Sequence, residues 1–365
     1  MTTRRWSCEK AWEWYNAHPW IRGCNFMSSD CCNRIDQWQT LGFEERFTTT
    51  DRELALAASI GFNSIRLIVQ FEIWDQEHDA FMEHFERYLT VAHKHGISCM
   101  ICFANDCSLP PERYVAPHPG PQKVDWGYHG GVKNSPHNGI IRTPGYTVLD
   151  DPVTAKRFFV MLQEILGRYR KDPRIIMWDL INEPGASNRG EISGPNVDKL
   201  FEAAREMGPE QPLTSCVWAS GLPDDILSPA EERALAQSDI ISFHWYRDFC
   251  TTVKAIARLR RHGRPLVNTE WLHRIYGQEV REIFPLFYLE KIGCYNWGFV
   301  AGLYQTYEPW ETIWNLEESR RDQLDLTRWQ HDLFRPSLRP YDPGEIKVIR
   351  EFCTLADRDF ADRRG

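Results

Sequence analysis

Two glutamates carry the strongest chemical signal in the chain. Glu183 closes the segment Trp178-Asp179-Leu180-Ile181-Asn182-Glu183-Pro184-Gly185, in which the apolar run from Ile175 to Trp178 reads as a buried strand. Pro184 cannot donate to a sheet and Gly185 releases the turn, so strand pairing must stop there. A carboxylate is thereby presented at a strand tip beside the Asn182 amide. A second tip of this kind ends in Asn268-Thr269-Glu270-Trp271. Two carboxyl groups facing one space can open a glycosidic bond, one protonating the leaving oxygen while the other meets the anomeric carbon. One must stay protonated and the other ionised near neutrality, so their surroundings must push their pKa values apart.

Other residue types in the chain suit that chemistry. Glu183, after an apolar strand and beside an amide, fits the acid. Glu270 can be kept anionic by Arg66 and by the Tyr246 hydroxyl, since both favour the charged form. Trp297 offers a flat floor for a sugar ring, and His244 and Asn182 offer hydrogen bonds to ring hydroxyls. Each has a plainer alternative: a surface turn for Glu183, an ordinary strand end for Glu270, a structural ion pair for Arg66, a satisfied core imidazole for His244.

These side chains meet only if the strands that carry them share one end of a sheet. Apolar, β-branched or aromatic runs predict eight strands, at 21–27, 62–69, 97–104, 175–182, 213–218, 240–246, 265–269 and 294–300. Helical periodicity predicts helices between and after them, at 51–60, 79–95, 152–169, 197–207, 229–236, 251–261, 278–292 and 343–356. Glycines at 61, 96 and 263 end helices just before strands, and Asp151-Pro152 opens one. Strict alternation implies parallel pairing with right-handed crossovers, and eight units predict an α/β fold, a closed (β/α)8 TIM barrel. Residues 1–365 read as a single domain, with 1–20 a helical segment capping the barrel floor. Segments leaving strands are long (28–50, 105–151, 184–196 and 302–342), and 105–151 reads as a loop over the active site.

Composition narrows the function. With 42% apolar and 26% charged residues the chain is an ordinary globular protein, and its net charge of −8 argues against a nucleic-acid partner. No apolar stretch is long enough to span a membrane and no signal peptide is visible, so a cytoplasmic location is expected. Eleven scattered cysteines match neither a disulfide scaffold nor a zinc knuckle; Cys99 and Cys102, three apart on a strand, face opposite sides. The first strand lacks the His-x-His of metal-dependent barrel hydrolases, so no metal or cofactor is expected. Oligomeric state is not legible.

The segments Gly61–Arg66, Trp178–Pro184, His244-Trp245-Tyr246, Asn268-Thr269-Glu270 and Tyr295-Asn296-Trp297 together resemble the clan A retaining glycoside hydrolases, specifically the cellulase-like family 5. The resemblance implies Glu183 as general acid/base and Glu270 as nucleophile, with Arg66, Asn182, His244, Tyr246 and Trp297 supporting substrate. The chain departs from the family pattern at the third strand tip, where Asn105-Asp106 stands in place of a histidine; Asn105 or Asp106 is expected to take its sugar contacts. Aromatics crowd the loops, among them Trp38, Trp74, Trp126, Trp218, Trp245, Trp271 and Trp310. About half are expected to anchor loops and the rest to line a carbohydrate pocket. A capped mouth predicts exo-action on short β-glycosides or oligosaccharides. Transglycosylation, or carbohydrate binding without catalysis, on the same barrel are the alternatives.

Overall fold

The computed structural model describes residues 4–136, 143–218 and 226–364. Eight strands form one sheet: β1 (Arg22–Asn25), β2 (Ser64–Ile68), β3 (Ser98–Asn105), β4 (Ile175–Asn182), β5 (Leu213–Thr214), β6 (Ile241–His244), β7 (Leu266–Trp271) and β8 (Gly293–Asn296). Their order is β5-β4-β3-β2-β1-β8-β7-β6, and every pairing is parallel. Val217 closes the ring between β5 and β6: its N–H donates to the Ser242 carbonyl (3.1 Å) and its carbonyl accepts from the His244 N–H (3.0 Å). Helices alternate with the strands. The protein is a single-domain (β/α)8 barrel.

Local chemistry sets the boundaries. The helix Pro152–Tyr169 starts where the Asp151 side chain accepts from the Thr154 N–H, and Pro229–Gln237 starts with a full capping box between Ser228 and Glu231. Gly61, Gly96 and Gly263 take φ of 93°, 71° and 67°. That left-handed backbone would cost another residue roughly 1–2 kcal/mol, which is why the helix-to-strand returns are short and end in glycine. The barrel floor is plugged by the helix Cys8–Ala17, whose Ala11 and Tyr15 join Met100, Met177, Val267 and Tyr295 in one apolar cluster.

Several segments differ from expectation, among them short helices at Phe71–Gln76, Glu311–Trp314 and Glu318–Arg321 and a β8 that ends at Asn296; three others have a local cause. The loop predicted at 28–50 contains a helix, Arg34–Trp38, capped by Asn33 and anchored by fully buried Trp38 against Phe81 and Tyr88. The helix predicted at 51–60 begins at Phe43, because its first turns are polar and hide the apolar period. β5 stops at Thr214, since Ser215 leaves the ladder to bond the Ser238 hydroxyl (3.1 Å) and the Ile181 carbonyl (2.8 Å).

Of the long segment 105–151, Cys107, Pro117, His129, Gly130 and Val132 border the cavity at the strand tips, and residues 137–142 fall outside the described residues. It is tied across the mouth to the segment after β8. The Gly127 N–H donates to Gln305 (2.7 Å), Gln305 donates to the Asp125 carbonyl (2.9 Å), and His129 Nδ1 bonds the Glu308 carbonyl (2.9 Å). On the other side the Gly120 N–H donates to Gln39 (2.6 Å). Six of the seven tryptophans divide between the two expected roles: Trp38, Trp74 and Trp271 are buried anchors and Trp218, Trp245 and Trp310 line the cavity beneath, whereas Trp126 is exposed and does neither. All eleven cysteines are free, and no helix among the described residues is long and apolar enough to cross a membrane.

Candidate active site

The strand tips enclose a cavity of about 500 Å³ that contains both glutamates. Glu183 immediately follows β4 with φ of 47°, a left-handed backbone rare for a non-glycine residue and here preceding a proline. The turn that imposes it is over-determined. The Ala186 N–H returns to the Glu183 carbonyl (2.9 Å), and the Gly185 N–H is held by Asp106 (2.7 Å). Strain of this kind costs on the order of 1–3 kcal/mol and collects where a side chain must be aimed.

Each Glu183 oxygen has its own neighbour. Oε1 is 2.8 Å from His244 Nδ1, and Oε2 accepts from the Cys107 thiol at 2.8 Å. Glu270 Oε1 accepts from Arg66 Nη1 (2.8 Å), while Oε2 accepts from the Tyr246 hydroxyl (2.7 Å). One oxygen from each glutamate and a His244 nitrogen all lie within 4.8 Å of one another. Carboxyl groups about 5–5.5 Å apart suit double displacement, whereas those about 6.5–9.5 Å apart leave room for an inverting water. The spacing fits the first.

Burial pushes the Glu270 carboxyl above the usual carboxylate range, against the opposing pull of His244, Arg66 and the Tyr246 hydrogen bond. Both contacts expected to hold it down are present, yet desolvation outweighs them. Burial also pushes the His244 imidazole down to about 4, so the ring is neutral near pH 7. At that pH its pull on Glu270, 3.4 Å away, is therefore that of an N–H dipole and not a full charge. Nδ1 faces both carboxyl groups, so a proton on Nδ1 meets whichever of them is ionised; Nε2 is buried without a partner.

Arg66 sits where its charge is needed but not where a sugar can reach it. Nε and Nη2 both donate to Asp179 Oδ2 (3.0 and 2.7 Å), Nη2 also to Asn182 (2.7 Å), and Nη1 to Asn25 and Glu270 (2.8 Å each). A guanidinium has five N–H donors and all are used. Direct substrate contact by Arg66 is thus corrected: it positions Glu270 and Asn182. Burial pushes its counter-ion Asp179 up, against the lowering effect of Arg66.

The remaining predicted residues fall into two groups. Asn105, Asn182, His244, Tyr246 and Trp297 line the cavity with the glutamates. Asn182 donates to Asn105 (2.9 Å), and Trp297 is half-buried with its ring edge-on to Tyr304. Asp106 does not line it. Almost fully buried, Asp106 accepts from Gly185 and Arg189 and so braces the turn that carries Glu183, correcting its expected sugar contact. His244 is corrected in part: its Nδ1 is turned toward Glu183 and not toward open space.

Three participants escaped the sequence reading. Cys107 lies two residues beyond the β3 tip, in the stretch that departs from the family pattern. Asn25 is the last residue of β1 and carries no distinguishing local signal. Asp179 had a usable signal, an acid inside the apolar run of β4, since a buried carboxylate requires a cation.

A family model described as Cellulase (glycosyl hydrolase family 5) matches residues 28–298. Among solved structures, the fold is similar to a glycoside hydrolase family 5 mannosidase from Rhizomucor miehei, at 13% identity over 94% of each chain and a TM-score of 0.57. It is similar also to the exo-β-1,4-mannosidase Op5Man5 from Opitutaceae bacterium strain TAV5, at 16% identity over 93% of this chain and 60% of that one, with a TM-score of 0.57. A β-1,4-mannanase from the sea hare Aplysia kurodai aligns at 14% identity over 77% of this chain and 88% of that one, with a TM-score of 0.53. No curated protein sequence matches the chain.

Proposed function

Because the chain belongs to glycosyl hydrolase family 5 and is a clan A glycosidase, we propose that Glu183 is its general acid/base and Glu270 its nucleophile. The bond cleaved is a β-glycosidic one, and the first-formed product keeps its configuration. The observation that carries this reading is the approach of the two carboxyl groups within 4.8 Å, each with different partners.

In the first step a Glu270 oxygen attacks the anomeric carbon while Glu183 gives its proton to the departing oxygen. That proton transfer is worth roughly 10²–10⁴ in rate. The negative charge left on Glu183 is met by the His244 N–H and the Cys107 S–H, both 2.8 Å away. In the second step Glu183 takes a proton from water, whose oxygen displaces Glu270 from the anomeric carbon. Trp297 supports the ring from below, and Asn182 and Asn105 meet its hydroxyls.

The lining of the mouth favours action at a chain end. The hydrogen bonds joining 125–129 to 305–308 beside the cavity support a walled pocket over an open cleft. A panel of β-glycosides that includes mannosides, the substrates in the names of the similar structures, identifies the sugar. Replacing Glu183 by Ala should slow poor leaving groups by roughly 10²–10⁴ yet spare dinitrophenyl glycosides, which depart without a proton. Equal losses on both would remove Glu183 from the acid role, and equal rates on an end-blocked polysaccharide would remove exo-action.

A further inference from the structure

Among the described residues, four carboxyl or guanidinium side chains border the cavity: Glu183, Glu270, Arg34 and Arg247. The two carboxyl groups are absorbed by the chemistry above. The two arginines are not. Neither makes a side-chain hydrogen bond or ion pair among the described residues, although Arg34 is half-buried.

That sets Arg34 apart within this molecule. Its buried arginines are all engaged: Arg22 with Asp357, Arg66 with Asp179, Arg189 with Asp150 and Arg274 with Glu345, each at 2.7 Å, and Arg264 with two backbone carbonyls. The acid that feels Arg34 through space, Glu72, is bonded instead to Gln70 and Tyr114. A guanidinium partly withdrawn from water keeps five donors in a rigid fork, and that fork matches a carboxylate or a phosphate.

Position gives the unpaired charge a meaning. Arg34 borders the main cavity and also the small recess beside it, and in both it stands with Trp297 and Tyr304. It therefore lies beside the floor assigned to the sugar. Arg247 is exposed and stacked on the Tyr276 ring (4.9 Å), where it can draw an anion in without contacting the reacting sugar. Among the described residues, a protein of net charge −8 thus sets, apart from its two glutamates, only arginines among the carboxylate and guanidinium groups around this cavity.

We propose that the substrate is an anionic glycoside, whose sugar bears a carboxylate or a phosphate that Arg34 receives. This rests on the reading of Glu183 and Glu270 given above and names the substrate class of the same site. No covalent step is added, since the anion is bound and released unchanged.

The test compares nitrophenyl glycosides of one sugar in three forms: neutral, oxidised to the uronic acid at C6, and phosphorylated at O6. One acidic form should exceed the neutral one in kcat/KM by roughly ten- to hundredfold, the worth of charge-assisted hydrogen bonds, and the form preferred separates carboxylate from phosphate. In Arg34→Gln that ratio should fall to near one, and Arg34→Lys should restore part of it. Preference for the neutral form, or a preference that survives Arg34→Gln, overturns the proposal while leaving the glycosidase reading intact. Quenching of tryptophan fluorescence by the free sugar, its uronate and its 6-phosphate supplies a readout independent of turnover. Equal affinities there overturn the anion site, whereas acid-selective binding with no turnover of any glycoside overturns the catalytic reading alone.

Discussion

Replacing Arg66 by Met tests the wiring of the site in one step. The substitution roughly keeps volume but removes six hydrogen bonds and leaves Asp179 fully buried, with Oδ1 already unpartnered. Breaking a buried pair by deleting one member costs about 3–5 kcal/mol, because the surviving charge has no compensation. Against a typical stability of roughly 5–15 kcal/mol this is a large share. Urea unfolding monitored by tryptophan fluorescence should show a loss of that size at pH 7. Most of the loss should return when Asp179→Asn is added, giving a coupling on the order of 2–3 kcal/mol. Activity should respond separately. Without the cation 2.8 Å from Glu270, the acidic limb of kcat/KM should move to higher pH, since less opposes the burial that already raises this carboxyl. A single-variant loss below about 1 kcal/mol, or a double variant no better than the sum of its parts, would refute the reasoning.

Two further outcomes follow from the neighbours of Glu183. Cys107→Ala removes an S–H donor 2.8 Å from Oε2 and should move the alkaline limb of kcat/KM upward, while Cys107→Ser, a stronger donor, should return it to or below its original position; limbs unmoved in both variants would deny Cys107 any hold on the acid. His244, held near 4 when folded against about 6.5 unfolded, contributes stability that is fully present above pH 6.5 and lost as pH falls toward 4. The stability difference between the protein and His244→Gln should therefore change by about 3 kcal/mol across that window, and a difference constant with pH would contradict a neutral buried imidazole.

How much was legible in the sequence depended on whether the signal was local. The β4 strand was read to the residue because an apolar run ended in Asn182-Glu183-Pro184, a local stop. The helix ends at Gly61, Gly96 and Gly263 were legible for the same reason. Contacts made across the barrel were not. Nothing local distinguishes Asp106, which grips the turn carrying Glu183, from Asn105 beside it, which faces the cavity; one step along a strand reverses the side chain's direction. Likewise Arg66 was rightly linked to Glu270, but only the full set of partners reveals that it has no donor left for a sugar.

Trapping the covalent intermediate tests the central claim most directly. A substrate analogue with fluorine at C2 and a good leaving group slows the second displacement more than the first, so the glycosylated enzyme accumulates. Peptide mass spectrometry should then find one added sugar, on the peptide containing Glu270. A protein that turns over glycosides yet carries no label there, or releases a first product of inverted configuration, would contradict the account.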